Sequence, residues 1–194
     1  MKTVFVDVDT QLDFVCPAGA LYVPDAERVL PAIGKLNRHA AAHGIPVLST
    51  VDAHTEDDAE FAVWPPHCVA GTWGQRKAEA TLLERQAVIP NRAGAISLEG
   101  AQQVILEKQT VDAFAAQTMR PVLEALGAER FVVYGVATEV CVLHAARGLL
   151  TRGAQVIVVS DAIQGLGTSA AALACEEIRS QGGRVLPLQA VLAE

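Results

Sequence analysis

Short apolar runs rich in valine and isoleucine alternate along the chain with longer stretches that show the spacing of amphipathic helices. Runs that are apolar at nearly every position are typical of strands buried on both faces of a sheet. Because strands and helices alternate, the pattern predicts a parallel sheet covered by helices on both sides. The predicted strands are TVFVDV, IPVLSTV, QAVI, QQVILEK, RFVVYGV, AQVIVVS and RVLPL.

The stretches between the strands carry helix start and stop signals. The first helix is expected to begin at Asp25 and to end at Gly44, with Pro31 inside it as a cause of a kink. Residues 52–81 follow neither period, and a loop of this length inside a compact domain is usually functional. Three further helices are predicted in TMRPVLEALG, TEVCVLHAARGLLTRG and SAAALACEEIRSQGG.

The composition narrows the class of protein. Hydrophobic residues make up 51% and charged residues 19% of the chain, which fits one globular domain over residues 1–194. The net charge is −7 and there is no basic run, so we expect no nucleic-acid partner. The acidic N-terminal segment is unlike a signal peptide, and no apolar stretch is long enough to span a bilayer. We therefore expect a cytoplasmic protein with no membrane partner.

Cys141 has the best sequence context for a nucleophilic cysteine. It follows a predicted strand and Thr138, a good N-cap, so it is expected in the first turn of a helix. The helix dipole favours a thiolate there, and free backbone N–H groups are available for an oxyanion hole. A structural role as a small buried residue is the alternative. Cys68 lies beside His67, but adjacent side chains on an extended segment point in opposite directions, so we do not expect Cys68 to be the nucleophile.

The acidic loop contains a pattern that suits a metal ion. On an extended segment, Asp52 and His54 lie on the same side, and His67 with one further acid would complete a set of four ligands. Mixed nitrogen and oxygen ligands suit Zn, Fe or Mn. A solvated acidic loop is the alternative. The candidates for the fourth ligand are Asp57, Asp58 and Glu60.

Four motifs, in order, resemble the cysteine hydrolases of the isochorismatase-like fold, and most closely the nicotinamidase/pyrazinamidase group. They are VDTQLDF, VDAH with WPPHCVAGT, LEKQTVDAF and GVATEVCV, so the match covers nearly the whole chain. The resemblance implies a three-layer α/β/α fold with a doubly wound, mostly parallel six-stranded sheet. It also implies an amidohydrolase that converts nicotinamide, or a pyrazinamide-like aromatic amide, to the acid and ammonia through a cysteine thioester.

The resemblance assigns roles to the residues that match these motifs. The catalytic residues would be Asp9, Lys108 and Cys141, with a cis peptide bond between Val136 and Ala137. The oxyanion hole would be the N–H groups of Ala137 and Cys141, and the substrate would contact Phe14, Trp64 and Ala137. One divalent ion, Zn or else Fe or Mn, would bind the ring nitrogen of the substrate. Its ligands would be Asp52, His54, Glu60 and His67.

Two acidic residues stand apart from the family pattern. Many nicotinamidases have a histidine at the position of Glu60, although a carboxylate is also a competent ligand. Asp7 is an additional aspartate without an assigned role, and by alternation it is expected to share a strand face with Asp9.

Three other functions stay open at this point. They are a cysteine amidohydrolase of the same fold for a carbamoyl or ureido substrate, a non-catalytic metal-binding domain, and a purely metal-dependent hydrolase. The oligomeric state is open as well, a homo-oligomer included.

Overall fold

The computed structural model describes residues 1–194 and contains one sheet of seven parallel strands in the order β3-β4-β2-β1-β5-β6-β7. The strands are β1 (Thr3–Val8), β2 (Val47–Asp52), β3 (Gln86–Ile89), β4 (Gln103–Lys108), β5 (Arg130–Val136), β6 (Gln155–Gln164) and β7 (Arg184–Leu186). The helices are α1 (Leu12–Val15), α2 (Leu30–Ala42), α3 (Met119–Leu126), α4 (Leu143–Thr151), α5 (Thr168–Ser180) and α6 (Leu188–Leu192).

The predicted α/β class is confirmed, but the expected strand count is wrong. The sheet has seven strands rather than six, and it is wholly rather than mostly parallel. The short edge strands β3 and β7 each pair with a neighbour, so every one of the seven apolar runs enters the sheet. No helix in the structure combines the length and the apolar character needed to cross a membrane.

The first long helix begins later than its capping signal indicates. Asp25 has a φ of 63° and precedes a 3-10 turn over Ala26–Val29, after which α2 begins at Leu30. Pro31 therefore lies in the first turn of α2, where its missing N–H has no partner within the helix. The expectation of a kink at Pro31 was wrong in its premise, because Pro31 does not lie inside the helix but in its first turn. Gly44, with a φ of 66°, follows the end of α2 as predicted.

Alternating strand residues fill two separate cores, one on each face of the sheet. On β1, Val4, Val6 and Val8 pack in the core that contains α3 and α4, whereas Phe5 packs in the core that contains α2. Burial of each large aliphatic side chain contributes about 1.5–3 kcal/mol, which makes the sheet a firm base for the residues at its ends.

The carboxyl ends of the four central strands meet at one edge of the sheet. Strand β1 pairs with β2 on one side and with β5 on the other, so the order of the strands reverses at β1. Ligands of open α/β sheets bind at such a reversal of strand order. Asp9, Asp52, Lys108 and Ala137 lie at this edge, because each one ends or directly follows a central strand.

Candidate active site

Asp9 follows β1 and turns its carboxylate to the face opposite that of Asp7. Its φ of 50° is a left-handed conformation that costs a non-glycine residue about 1–2 kcal/mol. Asp9 Oδ1 accepts a hydrogen bond of 2.6 Å from Thr50, and Oδ2 lies 2.9 Å from Nζ of Lys108. Asp7 instead accepts a hydrogen bond from Asn37 of α2. The expectation that Asp7 and Asp9 share a face was wrong, because alternation requires an extended backbone through both residues.

Lys108 ends β4 directly beside Asp52, the last residue of β2. Its ammonium is buried and forms ion pairs with both Asp9 and Asp52. Burial alone would lower the pKa of Lys108, but the two carboxylates outweigh burial and hold this pKa well above its usual value. Lys108 is therefore a fixed cation between two carboxylates.

Cys141 lies in a π-helical turn, Thr138–Val142, that joins β5 to α4, rather than in the first turn of a regular α-helix. Burial raises the pKa of the thiol well above its usual value; the charge of Lys108 opposes this shift and the charge of Asp9 adds to it. Burial therefore favours the neutral thiol of Cys141 over the thiolate. Burial also raises the pKa of Asp9, against the effect of Lys108, which makes Asp9 a better proton acceptor than an ordinary carboxylate.

The backbone around Cys141 has the shape that the resemblance implies. The peptide bond between Val136 and Ala137 is cis. Val140 and Val142 both donate their N–H groups to the carbonyl of Ala137 at 3.1 Å. The N–H groups of Ala137 and Cys141, the predicted oxyanion-hole donors, take no part in these two bonds.

Asp52, His54 and His67 form a buried group whose ligand atoms all lie within 4.8 Å of one another. Oδ2 of Asp52 is 3.8 Å from Nε2 of His54 and 3.6 Å from Nε2 of His67. Nδ1 of each histidine faces another partner: Nδ1 of His54 lies 3.0 Å from Oδ2 of Asp58, and Nδ1 of His67 lies 2.7 Å from the carbonyl of Pro65. In both rings Nε2 faces Asp52 while Nδ1 faces an outer oxygen, and an outer partner of this kind is usual for histidines that bind a metal.

This group fits a divalent ion. Nε2 of His54 is fully buried and has no hydrogen-bond partner, a costly arrangement in a protein interior unless something binds it. One carboxylate and two imidazoles are competent ligands for zinc and for neighbouring transition metals. A divalent cation would satisfy the unpaired nitrogen and offset the charge of Asp52.

The three loop acids differ in where they face. Asp57 is exposed. Asp58 lies against His54, and its carboxylate accepts a hydrogen bond of 3.0 Å from the backbone N–H of Glu60. Glu60 lies outside the group of three ligands, but it alone of the three acids lines the same cavity as Asp52. Burial and the charge of Asp52 raise the pKa of Glu60. Its role as fourth ligand stays a prediction.

A cavity that is open to solvent is lined both by Cys141 and by Asp52 and His67 of the metal-binding group. The three residues predicted to contact substrate, Phe14, Trp64 and Ala137, all line it. The only acidic residues in its wall are Asp52 and Glu60, and the wall contains no lysine or arginine. The remaining lining residues are Leu21, Val23, His67, Val111, Val136, Val140, Cys141 and Leu166.

Comparison with known protein families matches residues 3–190 to the isochorismatase domain. The chain belongs to the isochorismatase family. Nicotinamidase/pyrazinamidase of Mycobacterium tuberculosis is 28% identical over 187 residues, which cover 89% of this chain and 92% of that relative. Pyrazinamidase of Pyrococcus horikoshii, solved in complex with zinc, superposes with a TM-score of 0.80 at 27% identity, over 96% of this chain and 99% of that one. N-carbamoylsarcosine amidase of Thermoplasma acidophilum superposes with a TM-score of 0.79 at 25% identity, over 97% of both chains.

Membership of the isochorismatase family and these likenesses confirm that the protein is an amidohydrolase of the nicotinamidase-like kind. The ligand group of Asp52, His54 and His67, together with the zinc-bound relative, supports a divalent metal ion.

Two residues of this isochorismatase-family site were missed in the sequence, although they lie within the VDTQLDF motif. Gln11 accepts a hydrogen bond of 2.6 Å from the N–H of Asp52 and donates one of 2.8 Å to its carbonyl, which fixes Asp52 to the segment between β1 and α1. Asp13 accepts a hydrogen bond of 2.7 Å from the N–H of Cys68, which fixes the far side of the loop. Their position in the motif that contains Asp9 was the available signal.

Phe61 was missed as well, and no motif pointed to it. Its ring centroid lies 5.1 Å from that of His54 and 5.7 Å from that of His67, so it packs against both histidines. Cys68 is fully buried within the loop and, unlike Cys141, does not line the cavity. This position agrees with the expectation that Cys68 is not the nucleophile.

Proposed function

We propose that this protein hydrolyses nicotinamide, and related aromatic amides such as pyrazinamide, to the acid and ammonia through a thioester on Cys141. The observation that carries this proposal is that two aromatic side chains, Phe14 and Trp64, line the same cavity as Cys141 and as Asp52 and His67 of the metal-binding group. A flat aromatic amide can therefore contact the aromatic side chains and the metal-binding group while its amide carbon lies near Cys141.

The apolar part of the wall suits a flat ring. Phe14 and Trp64 both line the cavity, and the ring of Phe14 lies 5.3 Å from that of His67, so it reaches from the apolar wall to the metal-binding group. Stacking between aromatic rings contributes about 0.5–1.5 kcal/mol beyond simple burial. We infer that Phe14 and Trp64 hold the substrate ring while its amide group points towards Cys141.

Asp52, His54 and His67, with Glu60 as fourth ligand, would hold one divalent ion, Zn or else Fe or Mn. When bound, it would supply a Lewis acid for the lone pair of a ring nitrogen and so orient the substrate. All bond-making and bond-breaking steps belong to the residues around Cys141.

In the acylation half of the reaction, Asp9 accepts the proton of the Cys141 thiol, and the ammonium of Lys108 stabilises the resulting thiolate. The thiolate attacks the amide carbon, and the N–H groups of Ala137 and Cys141 stabilise the oxyanion, each by about 2.7–4 kcal/mol by analogy with other enzymes. Asp9 then donates its proton to the leaving nitrogen, ammonia departs, and a thioester remains.

In the second half, Asp9 removes a proton from water, whose oxygen attacks the thioester carbon. The carbon–sulfur bond breaks, the acid leaves, and the proton on Asp9 returns to the sulfur of Cys141. One carboxylate thus serves as base and acid twice in each cycle, which requires that its pKa lie nearer to neutrality than that of an exposed aspartate.

Ammonia release from nicotinamide and from N-carbamoylsarcosine, measured side by side with zinc-loaded protein, tests this function. We expect turnover of nicotinamide only, no turnover in Cys141→Ala, and an acyl adduct on Cys141 in rapidly quenched samples by mass spectrometry. Cys68→Ala is the matched control and should keep full activity. Faster turnover of N-carbamoylsarcosine, or activity in folded Cys141→Ala protein, would refute the proposal.

A further inference from the structure

Asp7, the additional aspartate of β1, forms a buried ion pair with Lys77 on the face of the sheet that α2 covers. Nζ of Lys77 lies 2.8 Å from Oδ2 of Asp7, and the two side chains are 4% and 0% exposed. Asn37 of α2 donates a hydrogen bond of 2.8 Å to the same oxygen and accepts one of 2.5 Å from Tyr134. A buried ion pair is weak evidence for added stability, because desolvation offsets the attraction of the charges. The pair therefore calls for another explanation.

Thr10 connects this ion pair to the active site. Its hydroxyl donates a hydrogen bond of 2.9 Å to Oδ1 of Asp7 and accepts one from the ammonium of Lys77. Its carbonyl accepts a hydrogen bond of 2.8 Å from the N–H of Ala78. Thr10 is thus held by its side chain and by its backbone, and it directly follows Asp9.

Asp9 needs fixed neighbours on both sides because its backbone is left-handed. Residues in such conformations persist only where the surrounding structure over-determines them. The strand β1 fixes Val8 on one side, through its pairing with β2 and β5. The ion pair fixes Thr10 on the other side. Without this turn, the carboxylate of Asp9 would follow strand alternation towards the face of Asp7 and away from Lys108.

We propose that Asp7 and Lys77 are positioning residues for amide hydrolysis, because they hold Thr10 and thereby the backbone turn that presents Asp9 to Cys141. Neither residue lines the substrate cavity. Their role rests on the proposed function only in that Asp9 is the base for Cys141, and it does not depend on which amide is hydrolysed. A misplacement on the order of 1 Å lowers catalytic rates by about a hundredfold, so loss of the pair should be visible in chemistry at Cys141.

The decisive variant is the double substitution Asp7→Asn with Lys77→Met, which removes both charges together and leaves no unpaired buried charge. The first readout is the rate at which iodoacetamide alkylates Cys141, followed by mass spectrometry of its peptide, because it requires neither substrate nor metal. We expect alkylation and kcat both to fall by about tenfold to a hundredfold, with KM for nicotinamide nearly unchanged. Lys77→Arg, which keeps the charge, should stay within about threefold of the natural protein in both readouts.

Leu126→Ala, which removes a buried leucine from α3, is the control for a purely structural role. It should lower the unfolding temperature while the alkylation rate of Cys141 stays that of the natural protein. If the double variant does not fold, Thr10→Val decides the question, since it keeps both charges and removes the hydroxyl that contacts Asp7, Lys77 and, at 3.1 Å, the hydroxyl of Thr81.

Alkylation at the natural rate in the folded double variant, or in Thr10→Val, would overturn the positioning role. If the natural protein fails to hydrolyse nicotinamide while alkylation of Cys141 still depends on the pair, the assigned substrate is wrong and the positioning role stands.

Discussion

Nζ of Lys108 lies 2.9 Å from Oδ2 of Asp9, and both side chains are 1% exposed. The same ammonium pairs with Asp52, so one cation faces two buried carboxylates. Although burial opposes it, Lys108 together with His54 and His67 holds the pKa of Asp52 well below its usual value. For Asp9, burial outweighs Lys108 and the pKa is raised. Asp9, the proposed base, therefore binds a proton more readily than Asp52 does.

Asp9→Asn should abolish turnover without lowering stability at neutral pH. A general base contributes about 10²–10⁴-fold to the rate, so kcat should fall by at least that factor. Because the pKa of Asp9 is higher in the folded than in the unfolded chain, its contribution to stability is full below the unfolded pKa and is lost as the pH rises through the folded pKa. Asparagine does not ionise, so the Asp9→Asn variant does not lose stability in this way as the pH rises. The advantage of the variant in the unfolding midpoint should grow as the pH rises from the unfolded pKa through the folded pKa of Asp9, and a variant that is less stable at pH 8 would contradict the raised pKa.

Asp58→Ala should weaken metal binding although Asp58 is not proposed as a ligand. Its carboxylate faces Nδ1 of His54 and accepts the N–H of Glu60, so it orients two proposed ligands at once. Loss of such an outer partner typically lowers metal affinity by about 10–100-fold. Zinc affinity measured by chelator competition checks this, with exposed Asp57→Ala as the matched control. Equal affinities in the two variants would show that Asp58 does not orient the site.

Metal content separates the ligand group from the nucleophile. The natural protein should contain about one divalent ion per chain, and His54→Ala should lose it because one of three buried ligands is removed. Nicotinamide turnover should then fall, whereas alkylation of Cys141 should continue, since Asp9 and Lys108 are intact. Elemental analysis of both proteins is the measurement, and an unchanged metal content in His54→Ala would refute the ligand assignment.

Gly74→Ala should disturb the loop through Asp13. A Cβ at Gly74 would lie 2.1 Å from the carboxylate of Asp13, which holds the N–H of Cys68 next to the ligand His67. We expect a loss of about 1–3 kcal/mol in the free energy of unfolding, together with weaker zinc binding. Gly94→Ala is the control, because a Cβ at that position meets no atom within 4 Å. Denaturant titration and zinc competition on both variants test this, and similar behaviour of the two would contradict the role of Asp13.

The local pattern of the sequence was sufficient for the class of fold and for the candidate chemistry. All seven apolar runs form strands. The four central strands β1, β2, β4 and β5 are buried along nearly their whole length, as continuous apolar runs predict, whereas the edge strands β3 and β7 are largely exposed or half-buried and each pair with one neighbour. The strand-to-helix context of Cys141 and the D-x-H spacing of Asp52 and His54 are also local features. Each depends on neighbouring residues only, so each could be recognised without knowledge of the fold.

Tertiary structure alone decided which side chains face one another. The left-handed backbone at Asp9 sends its carboxylate to the face opposite that of Asp7, which strand alternation cannot indicate. Glu60, rather than Asp57 or Asp58, lines the cavity because it lies in the 3-10 turn over Ala59–Ala62, and Asp58 caps that turn. The pairing of Asp7 with Lys77 required the end of the long loop to fold back along residues that follow β1. Such contacts join residues far apart in the chain, and their energies depend on burial and distance that no local pattern encodes.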